Sequence, residues 1–263
     1  MNEPWKRKEI IGNAELYLGD AVVILPSLPD KSAHMVMTDP PYGHNNNNGD
    51  LIHNREKALG RLPKTEAMPR PIANDGVEAN DLFKQVLPEL NRILALNGCC
   101  CCCCCCGGGG PDPQFARWSL WLDEIFNFKQ MIIWDKGPMG MGWHYRRSYE
   151  TVLVAEKKGG SRWFDETNQI ENIIRPGQYG IKKIIQSADD HPTPKPPQLA
   201  AHFAKLHSQT GETILDPFMG AGWVGIAVLP MDRKFIGIEI DEKWFNVACE
   251  HMDQIQRQKR LFA

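Results

Sequence analysis

The sequence lacks any run of about 18 consecutive apolar residues, so it offers no transmembrane helix. Its opening stretch, MNEPWKRKEI, has no apolar segment of the kind a secretory leader needs. An excess of either charge is missing as well, with 30 Lys and Arg against 32 Asp and Glu. That balance excludes a broadly polybasic binder and confines any nucleic-acid contact to a local basic patch. Spaced cysteines are absent. Eight of the nine cysteines form one run, Cys99 to Cys106, and the ninth is Cys249. A disulfide framework or a zinc finger spaces its cysteines, and this run does neither. Neighbouring strand residues point to opposite faces, so only a few of the eight could meet at one metal. The run reads as a buried strand written in a small hydrophobe, in a reducing compartment, with metal binding as the minority alternative; no metal centre is expected. No repeat of 20–50 residues occurs. What remains is 263 residues, 42% hydrophobic and 24% charged, enough for a full core in one cytoplasmic α/β enzyme domain over 1–263.

Apolar patterning predicts strands at 14–18 (AELYL), 33–38 (AHMVMT), 99–106, 130–134, 150–156, 212–215 and 234–240. Helices are expected at 21–28, 77–96, 115–126, 198–207, 222–229 and 243–258, with Asn97 and Gly98 ending the second. Residues 44–76 are polar, contain four consecutive asparagines and three prolines, and read as a flexible insertion. Residues 161–190 are a weakly structured connection. Strands alternating with helices predict a doubly wound, mostly parallel sheet covered on both faces. Ligands of such sheets sit beyond the carboxyl ends of the strands.

Two strand ends carry chemistry. Asp216-Pro-Phe-Met-Gly-Ala-Gly222 follows the strand TILD and opens a helix. Glycines there allow a tight turn and close approach of a ligand to the helix N-terminus. Seventeen residues beyond Gly222 the next strand ends in Glu239, where a ribose diol would be gripped. The unit fits any adenosine-bearing cofactor, dinucleotides included. The second end is Asp39-Pro40-Pro41-Tyr42, after the strand AHMVMT. Two prolines hold the chain rigid and extended. The Asp39 carboxylate and the Pro40 carbonyl become paired acceptors beside an aromatic face, a set suited to a planar base bearing an exocyclic amine. Such acceptors favour a more tetrahedral nitrogen whose lone pair can point at an electrophile. The same tetrapeptide could equally be a plain strand-ending turn.

TDPPYG (Thr38–Gly43) together with DPFMGAG (Asp216–Gly222) resembles the S-adenosylmethionine-dependent amino-methyltransferases of DNA, which modify adenine N6 or cytosine N4. GDAVVILPSLPD (Gly19–Asp30), WDKG (Trp134–Gly137), HYRRSYE (His144–Glu150), HPTPKP (His191–Pro196) and IGIEID (Ile236–Asp241) are similar to further family segments in the same order. The resemblance implies a Rossmann-like methyltransferase fold, circularly permuted in the family's beta order, with inserted loops for DNA recognition. It implies S-adenosylmethionine as cofactor and DNA as partner. By resemblance Asp39, Pro40, Pro41 and Tyr42 are catalytic, and Asp216, Phe218, Gly220 and Gly222 surround the methionine moiety. Glu239 takes the ribose, while Thr193 and Lys195 lie near the methionine carboxylate; Lys195 could also be a solvated charge. AELYL would fill the missing third cofactor-side strand and set Asp20 beside the adenine, though Asp20 could simply cap the following helix. One departure is Trp223, where the family commonly has Thr or Ser: either that polar contact is dispensable or the indole swings out and packs.

A base within a duplex must be flipped to reach such a pocket. Asp before Pro-Pro-Tyr favours adenine N6 within the family. DNA contacts are expected from 44–76, through Arg55 and Lys57, and from the loop with Trp143, Tyr145, Arg146 and Arg147. Arg162, Arg175, Lys182 and Lys183 form a third candidate set. Cytosine-N4 or RNA methylation, a dinucleotide-dependent oxidoreductase and a non-enzymatic DNA-binding module stay open, as does a homodimer.

Overall fold

The structure is a computed structural model that describes residues 3–43, 72–76, 78–104, 114–138, 148–160, 163–182, 191 and 193–261. Nine strands form one sheet: β1 (Arg7–Ile11), β2 (Ala14–Leu18), β3 (Ala33–Thr38), β4 (Leu94–Cys104), β5 (Asn127–Asp135), β6 (Tyr149–Glu156), β7 (Ile173–Ile174), β8 (Thr213–Asp216) and β9 (Lys234–Glu239). Their order across the sheet is β1-β2-β9-β8-β3-β4-β6-β5-β7. The five strands from β2 to β4 run parallel, β6 is antiparallel to both its neighbours, and β1 joins β2 as an antiparallel edge.

The helices are α1 (Ala21–Ile24), α2 (Ala79–Ile93), α3 (Gln114–Ile125), α4 (Pro197–His207), α5 (Trp223–Val228) and α6 (Glu242–Leu261). A parallel strand covered on both faces must be apolar throughout, and β3 is, from Met35 to Met37. Its neighbour β4 does the same with cysteine. Cys99 and Cys101 enter the core under α4, α5 and α6, while Cys100 and Cys102 enter the core under α1, α2 and α3. The described part of the run is therefore a buried strand that alternates between two cores. On α2 the stripe Leu82, Phe83, Val86, Leu87, Leu90 and Ile93 is buried, matching the helical period.

The expected architecture is present, with three local differences. Helix α2 ends at Ile93, and Leu94 already belongs to β4. Asn97, at φ +69, and Gly98 do not stop the helix; they lie where the pairing of β4 with β3 shifts register. Strand β1 escapes the apolar pattern because it is an edge strand, charged at three of its five residues and only partly buried. The third difference is β7, a two-residue strand inside the weakly patterned 161–190 connection.

The chain leaves β3 toward β4 on one side, and β8 toward β9 on the other. The sheet thus reverses its winding between β3 and β8, and the crevice outside their carboxyl ends is the natural ligand site.

Candidate active site

Thr38 ends β3 and Asp216 ends β8, and these two ends are tied together. The Thr38 hydroxyl donates to Asp216 Oδ1 at 2.8 Å, and the Phe218 N–H donates to the same oxygen at 3.1 Å. Burial pushes the Asp216 carboxyl up to about 8, against the lowering effect of the Thr38 hydrogen bond. Beyond these ends lies a cavity of about 270 Å³. It is lined by Asp39, Pro40, Pro41 and Tyr42 from the β3 corner, and by Phe218, Gly220 and Glu239 from the glycine bend and β9. Asp20, Thr193 and Lys195 line it too. Of the cofactor residues expected from the sequence, Asp216 and Gly222 stand behind the wall; one ties the strand ends and the other shapes the bend.

The bend has a steric logic. Gly220 (φ +51) and Gly222 (φ +85) are left-handed, where a side chain is strained. A Cβ on Gly220 would also come within 2.9 Å of His191 Nε2, and one on Gly222 within 2.9 Å of Met252 Cε. Glu239 braces the bend, accepting from the Gly220 N–H at 2.9 Å and from the Asp241 N–H at 2.8 Å. Burial raises its carboxyl to about 7 despite those two backbone donors. Strand β2 does occupy the position next to β9, with Leu18 opposite Glu239. Asp20 therefore sits at the cavity rim, where its side chain also caps α1 through the Val22 N–H at 2.9 Å.

At the β3 corner the side chains form an alternating line of charge. Lys195 Nζ lies 2.6 Å from Asp39 Oδ2, 3.2 Å from the Tyr42 hydroxyl and 3.6 Å from Glu150 Oε2. Glu150 is in turn paired with Lys136. The family resemblance sets Lys195 near a methionine carboxylate; in the structure its ammonium pairs with Asp39, a carboxylate so buried that it needs a counter-charge. Burial raises the Asp39 carboxyl to about 6, with Lys195 pulling the other way. The second oxygen, Asp39 Oδ1, is buried and has no hydrogen-bond partner among the described residues.

Tyr42 is held from the backbone. Asp75 Oδ1 accepts from the Tyr42 and Gly43 N–H groups at 2.9 Å each, and Gln114 Nε2 donates to the Tyr42 carbonyl at 2.8 Å. The ring lies 6.2 Å from Trp118, which stacks on Phe83 at 4.0 Å. Trp223 turns inward at the start of α5: it is buried, lines the cavity, and its Nε1 has no partner among the described residues. The expected DNA-contacting residues Arg55, Lys57, Trp143, Tyr145, Arg146 and Arg147 lie outside the described residues.

The sequence profile described as DNA methylase, the N6/N4 methyltransferase family, matches residues 33–250. The chain belongs to the N6/N4 DNA methylases. It is 25% identical over 263 residues to the DNA adenine methyltransferase YhdJ of Escherichia coli K12, covering 89% of this chain and 81% of that protein. Among solved structures it is similar to the cytosine-N4-specific PvuII DNA methyltransferase, with a TM-score of 0.69, 16% identity, and coverage of 97% and 95% of the two chains. It also resembles TTHA0409 of Thermus thermophilus, solved in complex with S-adenosylmethionine, with a TM-score of 0.63, 22% identity, and coverage of 91% and 93%.

For this DNA methylase, several cavity residues are not legible in the sequence. Asp75 reads there only as a charge in a polar insertion. Glu150 and Lys136 belong to recognisable segments, but nothing in their spacing pairs them with Lys195. His191, Trp244 and His251 also line the cavity. His191 belongs to HPTPKP without a role that the sequence assigns, and the other two lie on the long closing helix, where an apolar stripe hides a ligand wall.

Proposed function

We propose that this DNA methyltransferase acts on adenine N6, on a base flipped out of the duplex and stacked on Tyr42. S-adenosylmethionine is the cofactor; when bound it supplies a methyl group already activated on a sulfonium. The residues fit it. Gly220 of the left-handed bend lines the cavity without a side chain, and Trp223 Nε1 beside it is a buried donor without a partner among the described residues. Asp20 and Glu239 would hold the adenosine end, and Phe218, Gly220 and Thr193 the methionine end. Asp216 and Gly222 shape the bend that does so.

The observation that carries the catalytic reading is the state of Asp39. One oxygen is anchored by Lys195, while the other is a buried acceptor with no partner among the described residues, in the same cavity as the glycine bend. Lys195 keeps the carboxylate ionised near neutral pH and fixes its orientation. Asp39 Oδ1 and the Pro40 carbonyl then accept the two amine hydrogens, which localises the nitrogen lone pair as charge develops. Asp39, with its carboxyl near 6, is also matched to receive the proton that the methylated amine sheds. The rigid Pro-Pro corner, pinned by Asp75 and Gln114, contributes mainly positioning.

The described ends of both candidate DNA-contacting segments adjoin the site, at Tyr42 for one and at the Lys136–Glu150 pair beside Lys195 for the other. The 44–76 segment returns to it at Ile72–Asp75, and the loop after β5 starts where the Lys136 N–H closes on the Ser148 carbonyl at 2.7 Å. Their basic and aromatic residues suit phosphates and base edges.

The test is incubation of unmethylated DNA with methyl-labelled cofactor, followed by nucleoside analysis. N6-methyldeoxyadenosine is expected; N4-methyldeoxycytidine would overturn the choice of adenine. Asp39→Ala is expected to abolish transfer while calorimetric cofactor affinity stays within a few-fold. An active Asp39→Ala enzyme would remove the catalytic assignment.

A further inference from the structure

A second set of reactive side chains lies on β4, beside β6. Cys99 and Cys101 project from β4 to one face, with their sulfurs 3.5 Å apart. His207, at the end of α4, joins them, so that one ligand atom from each lies within 4.8 Å of the others. All three residues are buried. A tetrahedral zinc with Zn–S of about 2.3 Å and Zn–N of about 2.0–2.1 Å sets its sulfurs about 3.8 Å apart, and sulfur and nitrogen about 3.6 Å apart. The observed spacing needs only small side-chain rotations to meet that. Cys100 and Cys102, on the opposite face, are also 3.5 Å apart, but no histidine completes a triad with them among the described residues.

We propose that Cys99, Cys101 and His207 form a zinc site that ties the end of α4 to β4. Two thiolates and an imidazole select a borderline-soft ion such as Zn²⁺ over Mg²⁺ or Ca²⁺. His207 also lines a cavity of about 230 Å³ together with Glu156, so water or that carboxylate is available as a fourth ligand. Glu156 is the register partner of Cys99 across β4 and β6. The imidazole is oriented by the edge of Trp163 at 5.3 Å and by Phe203 stacked at 6.4 Å.

This cavity shares no lining residue with the one holding Asp39 and Tyr42. Cys99 pairs with Met35 and Cys101 with Met37, so the two cysteines lie three residues and one residue back along the strand from the Thr38 level. The site is therefore structural with respect to methyl transfer, and its placement is independent of the function proposed above.

The full chain, purified without chelator, is expected to carry one zinc per molecule by elemental analysis. Replacement by Co²⁺ is expected to give the visible bands of a tetrahedral ion and near-ultraviolet thiolate charge transfer. The Cys99→Ser, Cys101→Ser double variant should lose these bands. His207→Asn should weaken zinc by more than about a hundredfold in competition with a chromophoric chelator, more than loss of an outer partner typically costs. Cys100→Ser and Cys249→Ser should keep full binding. Circular dichroism and calorimetric cofactor binding establish that each variant is folded. Should the double serine variant fail to fold, His207→Asn and the parent protein decide the matter. No cobalt bands in the parent, or bands undiminished in His207→Asn, would overturn the proposal.

Discussion

Replacing Lys195 by Met keeps most of the side-chain volume and removes the ammonium that lies 2.6 Å from Asp39. In the parent, burial lifts the Asp39 carboxyl and Lys195 pulls it down, leaving it at about 6. Glu150 opposes the pull and Lys136 assists it, both from the β5–β6 side. An opposite charge at this range typically lowers a carboxyl by about 1–3 pH units. Without it, Asp39 is expected to titrate about 1–3 pH units higher. The sign follows from the chemistry: the ionised form accepts the amine hydrogens, so activity is present above this pKa and lost as pH falls through it. At pH 7 a carboxyl titrating near 6 is about 90% ionised, and one titrating at 7 or above is at most about half ionised. The assay is kcat/KM for DNA across pH 5–9 at saturating S-adenosylmethionine, with cofactor affinity measured separately by calorimetry. The acid limb should move from near 6 to 7 or higher, with partial recovery of rate at pH 9. A limb that stays near 6 in Lys195→Met would refute the role of this ammonium.

Asp75→Ala releases two backbone N–H groups at Tyr42 and Gly43, a loss of about 1–3 kcal/mol if they stay buried. Turnover should fall much more than cofactor affinity; equal losses in both would argue against a role confined to the base-holding corner. Gly222→Ala places a side chain at φ +85 with its Cβ within 2.9 Å of Met252 and 3.2 Å of Ala248 Cβ. The left-handed conformation alone costs about 1–2 kcal/mol, so thermal unfolding should come about 2–8 °C earlier; an unchanged Tm would contradict the strain. Asp216 titrates at about 8 in the fold, against an ordinary value near 4. The native state thus holds a proton that the unfolded chain releases, and the stability this contributes is lost as pH rises through that window. Asp216→Asn should flatten the decline of Tm between pH 4 and 8, and an unaltered slope would place the titration elsewhere.

The sequence by itself determined the elements whose cause is local. AHMVMT, TILD and KFIGIE are apolar because both faces of a central parallel strand are buried, and their ends announce Asp39, Asp216 and Glu239. Glycines at 220 and 222 mark a bend that no other residue can make without strain. The order of those motifs even placed AELYL beside the cofactor-side strands. The charged edge β1 and the two-residue β7 were hidden, since an edge strand needs no apolar period.

Only the tertiary structure decided which distant groups meet. Lys195 is separated from Asp39 by 156 residues and sits in a proline-rich stretch whose resemblance points to a cofactor carboxylate; folding brings it to the buried carboxylate of Asp39, which needs a positive charge. Asp75 looks like one acid among the charges of a polar segment until the chain return places it under two backbone N–H groups. His207 could not be paired with Cys99 and Cys101 from spacing, because the contact runs between a helix end and a strand packed beneath it. Patterning is written by each residue's own burial, whereas pairing is a property of two chain segments whose separation no local rule encodes.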